Sequence, residues 1–267
     1  MHNRSVTGTW LAPIGALWWR EILHFVRRPS RIASAVGSPL LFWWLLGSGF
    51  AGSFRVPGGG AEGVDFLSYF FPGTVVLLVL FAAIFSTISV IEERRTGFLQ
   101  GIRVAPSGSR ALIGGKVLGG ASVAWLQGLV LLLLAPWAGI EVGVDGFLAA
   151  AGILALLAVA LTAVGLACAW RVRSTQGFHG VMNLVLVPAW MLSGAIFPLQ
   201  GSAPWIRTIA WADPLTYGVS ALRWVLQPEV ARTAGPFQEI LWPLSVTAVL
   251  TVAAFGLVWL TVRRDRE

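Results

Sequence analysis

Six apolar stretches, each about as long as the roughly 20 residues a helix needs to cross a bilayer, run through this chain. They fall at 32–52, 66–91, 117–140, 147–170, 178–197 and 241–262, and none contains Asp, Glu, Lys or Arg. The runs are too long and continuous for the alternating ten-residue pattern of a membrane β-barrel. Only 12% of the 267 residues are charged, and 56% are hydrophobic. A soluble domain carries roughly twice that charge. The pattern predicts an all-α membrane protein with six transmembrane helices.

The basic residues orient it. Fifteen of the 19 Lys and Arg lie in the N-terminal segment, the second and fourth connections, and the tail. Only Arg55, Arg207, Arg223 and Arg232 lie on the other side. By the positive-inside rule both termini are expected in the cytoplasm, in a multi-pass protein of the plasma (inner) membrane. The net charge of +7 flanks apolar spans, so anionic lipid headgroups are the expected partner and nucleic acid is not. No cleavable signal is expected, because the first apolar run follows Arg27, Arg28 and Arg31.

Residues 10–28 read as an amphipathic helix. Leu11, Ile14, Trp18, Ile22 and Phe25 recur at spacings of three or four, with Arg20, His24, Arg27 and Arg28 on another face. Trp18 and Trp19 suit the headgroup zone. The reading is a helix lying in the interface; the alternative is a helix packed on the protein itself. Pro29 and Ser30 end it.

Two connections are unusual. Residues 92–116 read EERRTGFLQGIRVAPSGSRALIGGK. Phe98, Leu99 and Ile102 share one face of a short helix that Pro106 ends, and Ser107 or Ser109 is a candidate cap for the helix that follows. Such a helix can rest on lipid or dock in a partner's groove. The external segment 198–240 is too long for a turn and too apolar for a soluble loop. It reads as two short helices split by Pro214, with Asp213 as a cap. Trp205, Trp211, Tyr217 and Trp224 favour the interface, so the pair is expected to dip into the bilayer as a re-entrant hairpin. Broken backbone at that depth must be covered by protein.

Catalytic chemistry is missing. Gly114-Gly115-Lys116-Val117 lacks both the upstream glycine and the hydroxyl of a P-loop. There is no His-Glu-x-x-His and no Gly-x-Ser-x-Gly, and the lone Cys168 excludes an intrachain disulfide and a cysteine metal site. No catalytic residue and no metal ligand is expected. The uncharged spans argue against a self-sufficient ion-coupled carrier. A passive scaffold, or a permease driven by another subunit, remains.

The string EERRTGFLQGIRVAPSGSRALIGGKVLGG after the second span resembles the signature of type-2 ABC exporter permeases. WMLSGAIFPLQGSAPWIRTIAWADPLTYGVSALRWVL resembles the C-terminal signature of the same family, through Leu192-Ser193-Gly194, Phe197-Pro198, Pro204-Trp205, Asp213-Pro214-Leu215, Tyr217 and Arg223. The resemblance implies a six-span domain over 32–262, preceded by a connecting helix in residues 1–31 and followed by a tail at 263–267. It implies a homodimer or pseudo-dimer of six-span subunits bound to two cytoplasmic ABC ATPase subunits. Those subunits would hold ATP and Mg²⁺, and this chain would bind no cofactor and carry no enzyme activity. It implies that Glu92, Glu93, Arg94, Arg95, Gly97, Phe98, Leu99, Ile102 and Pro106 form a cytoplasmic coupling helix and its hinge. It implies that Pro198, Pro204, Trp205, Asp213, Pro214, Tyr217 and Arg223 belong to the external re-entrant gate. The expected function is export of a drug or lipid-like molecule. Export of a polysaccharide or lipo-oligosaccharide is the alternative, and a secondary carrier or membrane scaffold stands behind both.

Overall fold

The computed structural model describes residues 11–27, 29–50, 53–54, 64–97, 108–172 and 174–264. Among them every regular element is helical. The helices are α1 (Leu11–Val26), α2 (Pro29–Phe50), α3 (Phe66–Arg95), α4 (Gly108–Leu132), α5 (Val144–Arg171), α6 (Thr175–Trp190), α7 (Pro204–Ala212), α8 (Pro214–Leu226), α9 (Pro228–Ala234) and α10 (Leu241–Arg264).

Five stretches among the described residues are long and apolar enough to cross a bilayer: Phe66–Arg95, Ala111–Leu132, Val144–Arg171, Thr175–Ala195 and Leu241–Val262. The expected first span corresponds to α2, a 22-residue helix in which Val36–Phe50 is apolar. These helices make the chain an integral membrane protein.

Helix α3 is the axis of the molecule. It packs against α2, α4, α5, α6 and α8, and 78% of its most apolar stretch is buried, against 33% for the α6 and α10 stretches. Tyr69, Phe70, Phe71, Val75, Val76, Leu78 and Val79 are fully enclosed. By contrast α2 exposes Leu41, Trp44 and Leu45, and α6 exposes Leu184 and Val185. In a membrane protein such faces meet lipid or another subunit rather than water.

Three element boundaries depart from expectation. The expected third span, 117–140, is replaced by a helix that starts at Gly108 and stops at Leu132. A 3-10 turn at Ala135–Ala138, with Pro136 in its first turn, then leads to Gly139 at φ 72°. Proline cannot supply the N–H that a continuing helix needs. Because Ser109 lies inside α4, it is not its cap, and Ser107 lies outside the described residues. The second span continues past Ile91 to Arg95, since its last charged turn finds partners on other helices. The segment 198–240, expected to be external, holds three helices rather than two. Each begins with a proline in its first turn: Pro204, Pro214 and Pro228. Proline is favoured there because its missing N–H would have no partner in any case. Asp213 does cap α8, accepting from the Leu215 N–H at 3.0 Å.

Candidate functional site

Two polar clusters tie α3 to its neighbours, one at each end. The first lies at the basic end. Glu93, in the last turn of α3, accepts hydrogen bonds from Arg20 of α1 and from Lys116 of α4, the latter at 2.8 Å. Lys116 Nζ also donates to Glu21 of α1 at 2.6 Å and to Ser89 Oγ at 3.1 Å. An ammonium has three protons, and all three have acceptors. The Lys116 side chain is 3% exposed. Two cations and two carboxylates therefore close a neutral, water-poor cluster that fastens α1 and α4 to the base of α3.

Glycine brings the helices close enough. A Cβ at Gly115 would lie 2.5 Å from Leu17 Cβ, and one at Gly119 would lie 2.6 Å from Glu21 Cβ. Gly115 and Gly119 form a G-x-x-x-G pair, the spacing that lets two helix backbones approach. Trp18 Nε1 donates to Ser122 Oγ of α4 at 3.0 Å. Helix α1 thus packs on the protein through the face carrying Ile14, Leu17, Trp18 and Glu21, while Leu11, Trp19 and Val26 stay exposed.

Arg94 turns the other way. It donates to the Ala169 carbonyl at 2.9 Å and the Trp170 carbonyl at 2.6 Å. Its guanidinium sits 5.4 Å from the Trp170 ring centre. These are terminal carbonyls of α5, where a helix presents its negative end and unpaired acceptors. The Glu93 and Arg94 contacts are between helices, not i,i+3 pairs along one. Glu92 and Arg95 are exposed. Gly97 ends the helix at φ 77°, a left-handed conformation that favours glycine. Arg27 follows α1 and is exposed. Arg28, Phe98, Leu99, Ile102 and Pro106 lie outside the described residues.

The second cluster lies at the opposite end. Arg223 of α8 is 2% exposed. It donates to the Gly194 carbonyl at 3.0 Å and the Tyr69 carbonyl at 3.3 Å, with its guanidinium 4.2 Å from the Tyr69 ring centre. The Tyr69 hydroxyl donates to the same Gly194 carbonyl at 3.0 Å. Gly194 stands at φ 80° where α6 breaks through a π-helical turn, Met191–Ala195. Trp190 Nε1 donates to the Gly73 carbonyl at 2.8 Å. Pro72 inside α3 has no N–H to offer the Ser68 carbonyl, and Gln227 Nε2 supplies one at 2.9 Å. The break in α6 is thus covered by Arg223 of α8, and the proline in α3 by Gln227 at the C-cap of α8.

Tyr217 stacks on Phe237 with ring centres 5.1 Å apart, and its hydroxyl donates to the Trp211 carbonyl at 2.8 Å. Trp205 is 61% exposed on α7. Pro198 precedes a 3-10 turn at Leu199–Gly201. Asp213 is 7% exposed, and burial pushes its carboxyl up to about 6, against the pull of the Leu215 N–H.

Glu21, Lys116, Tyr69, Pro72 and Gln227 were not singled out from the sequence. The Gly-x-x-x-Gly at 115 and 119 could have pointed to the α1–α4 seam. Among the described residues no group of three or more His, Cys, Asp or Glu could hold a metal.

The family model described as ABC-2 type transporter matches residues 13–226. A protein of Cyanophora paradoxa named transport permease ycf38 is 25% identical over 209 residues, covering 77% of this chain and 71% of the relative. Nodulation protein J of Rhizobium leguminosarum bv. trifolii is 27% identical over 233 residues, covering 84% of this chain and 85% of the relative. A protein of Escherichia coli K12 named multidrug ABC transporter permease YbhR is 24% identical over 198 residues, covering 73% of this chain and 53% of the relative. The matched region takes in both polar clusters except Gln227, and the chain belongs to the ABC-2 type transporter family of membrane permeases.

Proposed function

We propose that this chain is the transmembrane subunit of an ATP-driven exporter, with six spans, both termini in the cytoplasm and its place in the plasma (inner) membrane. Two copies pair, and each engages a cytoplasmic ABC ATPase that binds ATP and Mg²⁺; this chain binds neither. The exposed apolar faces of α2 and α6 supply surface for the second copy and for lipid. The domain layout is a connecting helix in residues 1–31, the transmembrane domain over 32–262 and a tail at 263–267.

One observation carries the reading. The last turn of α3 is anchored to α1, α4 and α5 through Glu93 and Arg94, immediately before the Gly97 break. A motor subunit gripping residues 98–106 would pull on that turn, and the anchors would carry the pull into three other helices. At the other end the same helix holds α8 and the broken α6 through Tyr69 and Ser68, which supports a gate formed by α7 and α8.

The cargo is a drug or lipid-like molecule, in keeping with the apolar spans and the multidrug name of the E. coli relative. Export of a glycan is the second reading, and the exposed Trp205 and Trp211 near the outer gate are the feature that favours it, since indole faces stack on sugar rings.

The test is ATPase activity and cargo flux in proteoliposomes holding this chain and its candidate ATPase. Gly97→Val or Pro106→Ala is expected to retain ATP hydrolysis but lose most cargo-coupled flux. Undiminished coupled export in both variants, or no stable complex with any ABC ATPase, refutes the reading.

A further inference from the structure

A pocket of about 140 Å³ lies between α7, α8, the Leu199–Gly201 turn and the connection that follows α9. Drug-sized sites begin at roughly 300 Å³, so this one fits a single polar group rather than a cargo molecule. Its walls are braced. Gln200 Nε2 donates to the Gly235 carbonyl at 2.8 Å, and Trp224 Nε1 donates to the Phe237 carbonyl at 3.3 Å. The Phe237 ring meets the Trp211 ring edge to face, with ring centres 5.3 Å apart.

The pocket offers positive charge and free donors. Arg207 and Trp211, one turn apart on α7, both line it and both are exposed, so a ligand can reach them. Among the described residues the Arg207 guanidinium has no hydrogen bond, ion pair or ring contact, and the Trp211 indole N–H has no acceptor. Arg223, by contrast, is spent on two carbonyls and Arg232 on Glu229. No carboxylate among the described residues lines the pocket. Asp213, close by in sequence, directs Oδ1 to the Leu215 N–H instead. A guanidinium carries five N–H donors and no acceptor, and its planar fork matches a phosphate.

The other side of α7 indicates where an anion would come from. Trp205, Ile209 and Ala212 recur at spacings of four and three, and all are exposed. At about 100° per residue they lie on the far side of the helix from Arg207. An interfacial helix sinks its apolar face into the boundary between headgroups and acyl chains and keeps its basic residues on the polar face, where anionic lipid attracts them. Lipid phosphate is therefore the anion within reach at the highest local concentration.

We infer that this pocket docks the phosphodiester of a membrane phospholipid, with Arg207 pairing the charge and Trp211 donating to an oxygen. A phosphate there touches α7, α8 and the 235–237 connection at once, so a bound lipid braces the hairpin. The claim rests on the exporter reading only in calling that leaflet the outer one and the hairpin a gate.

The experiment is hydrogen exchange on the full chain in dodecyl maltoside micelles, read over residues 199–217. The added probes are dioleoylphosphatidylglycerol, dioleoylglycerol, which has the same chains without the phosphate, and glycerol 3-phosphate, which has the phosphate without the chains. Only the phospholipid is expected to raise protection in this segment. Arg207→Gln should raise the phospholipid concentration for half-maximal protection about tenfold or more, and Trp211→Phe about threefold, the order of a charged and a neutral hydrogen bond. Arg232→Gln should leave it unchanged. Equal protection by dioleoylglycerol means a greasy contact only and overturns the inference. Equal protection by glycerol 3-phosphate means a soluble-anion site and overturns the lipid assignment. An unchanged midpoint in monodisperse Arg207→Gln protein overturns it as well. No ATPase is needed, so failure here leaves the exporter reading intact, and failure of the ATPase complex leaves this result standing.

Discussion

Lys116→Met is the sharpest test of the basic-end cluster. The substitution keeps the length and apolar stem of the side chain but removes the charge. Lys116 holds Glu21 at 2.6 Å and Glu93 at 2.8 Å, with the three side chains 3%, 10% and 12% exposed. Glu93 retains Arg20, so the larger loss falls on Glu21. Breaking a buried pair by deleting one partner costs about 3–5 kcal/mol, because a charge is left uncompensated. The loss should appear as release of α1, which has no fully buried residue of its own. Hydrogen exchange in detergent micelles over residues 11–26 reads it directly. Protection there should fall by about a hundredfold or more, while the middle of α3 stays protected. Adding Glu21→Gln to Lys116→Met removes the stranded charge and should restore much of the protection. Arg232→Met is the internal control. Its i,i+3 partner Glu229 is 76% exposed, and such surface pairs contribute roughly 1 kcal/mol or less. If Lys116→Met loosens α1 no more than Arg232→Met does, or if the double variant is worse than the single by a full additive increment, the cluster is not what holds α1.

The seam itself is tested by Gly115→Val, whose side chain would collide with Leu17; a cost of about 1–3 kcal/mol from overpacking should again expose α1 to exchange. Gly152→Ala meets nothing within 4 Å and should be neutral in the same assay. Arg223→Lys keeps the charge but loses the planar group that bridges two carbonyls and stacks on Tyr69; thermal unfolding in micelles should register a loss of about 1–3 kcal/mol. Asp213 supplies a pH dependence. Its carboxyl is raised from 3.8 to about 6, so between those values the folded state binds more protons than the unfolded. Stability of the α7–α8 hairpin is therefore greatest below about pH 4, declines as pH rises towards 6, and is flat above. Asp213→Asn can still cap α8, and its protection profile should lose that slope.

Five long apolar helices were readable because lipid imposes length and polarity on a crossing helix, and those properties are local. The proposed orientation rests on charge counted loop by loop. What escaped has partners far away along the chain. Lys116 meets Glu21 across 95 positions, and no window of sequence contains both. Gly114-Gly115-Lys116 was read for the P-loop it lacks and as the end of the family's string, and neither reading shows what it packs on. Arg223 and Gly97 were found through the family's strings, and their roles as carbonyl bridge and helix stop come from geometry; Asp213 was read as a cap from the residues themselves, and it caps α8. The third external helix, α9, was missed because seven residues are too few for a periodic signal, although Gln227-Pro228 marks its start. Pro72 went unremarked in an apolar run, and its consequence is a Ser68 carbonyl served by Gln227, 159 residues from Ser68.

The two clusters together bear on how one end could inform the other. Helix α3 has 30 residues and so spans about 45 Å, longer than the roughly 30 Å hydrocarbon core. Its ends project to where both clusters sit. Most of its length is enclosed by other helices, which resists bending, and the proline that would weaken it lies in its second turn, at Pro72. There Gln227 replaces the missing hydrogen bond and belongs to the external segment itself. A displacement imposed at Glu93 and Arg94 would therefore reach Ser68 and Tyr69 with little lost to bending. In the proposed exporter it would be delivered as a change in the bonds to Gln227 and Arg223. Weakening Gln227 by Gln227→Leu should then leave α1 protected and the ATPase contact intact, yet raise the outer hairpin's exchange and its uncoupled leak of dye from proteoliposomes. A leak unchanged by Gln227→Leu, with the hairpin's exchange raised, would mean that α8 covers α3 without gating anything.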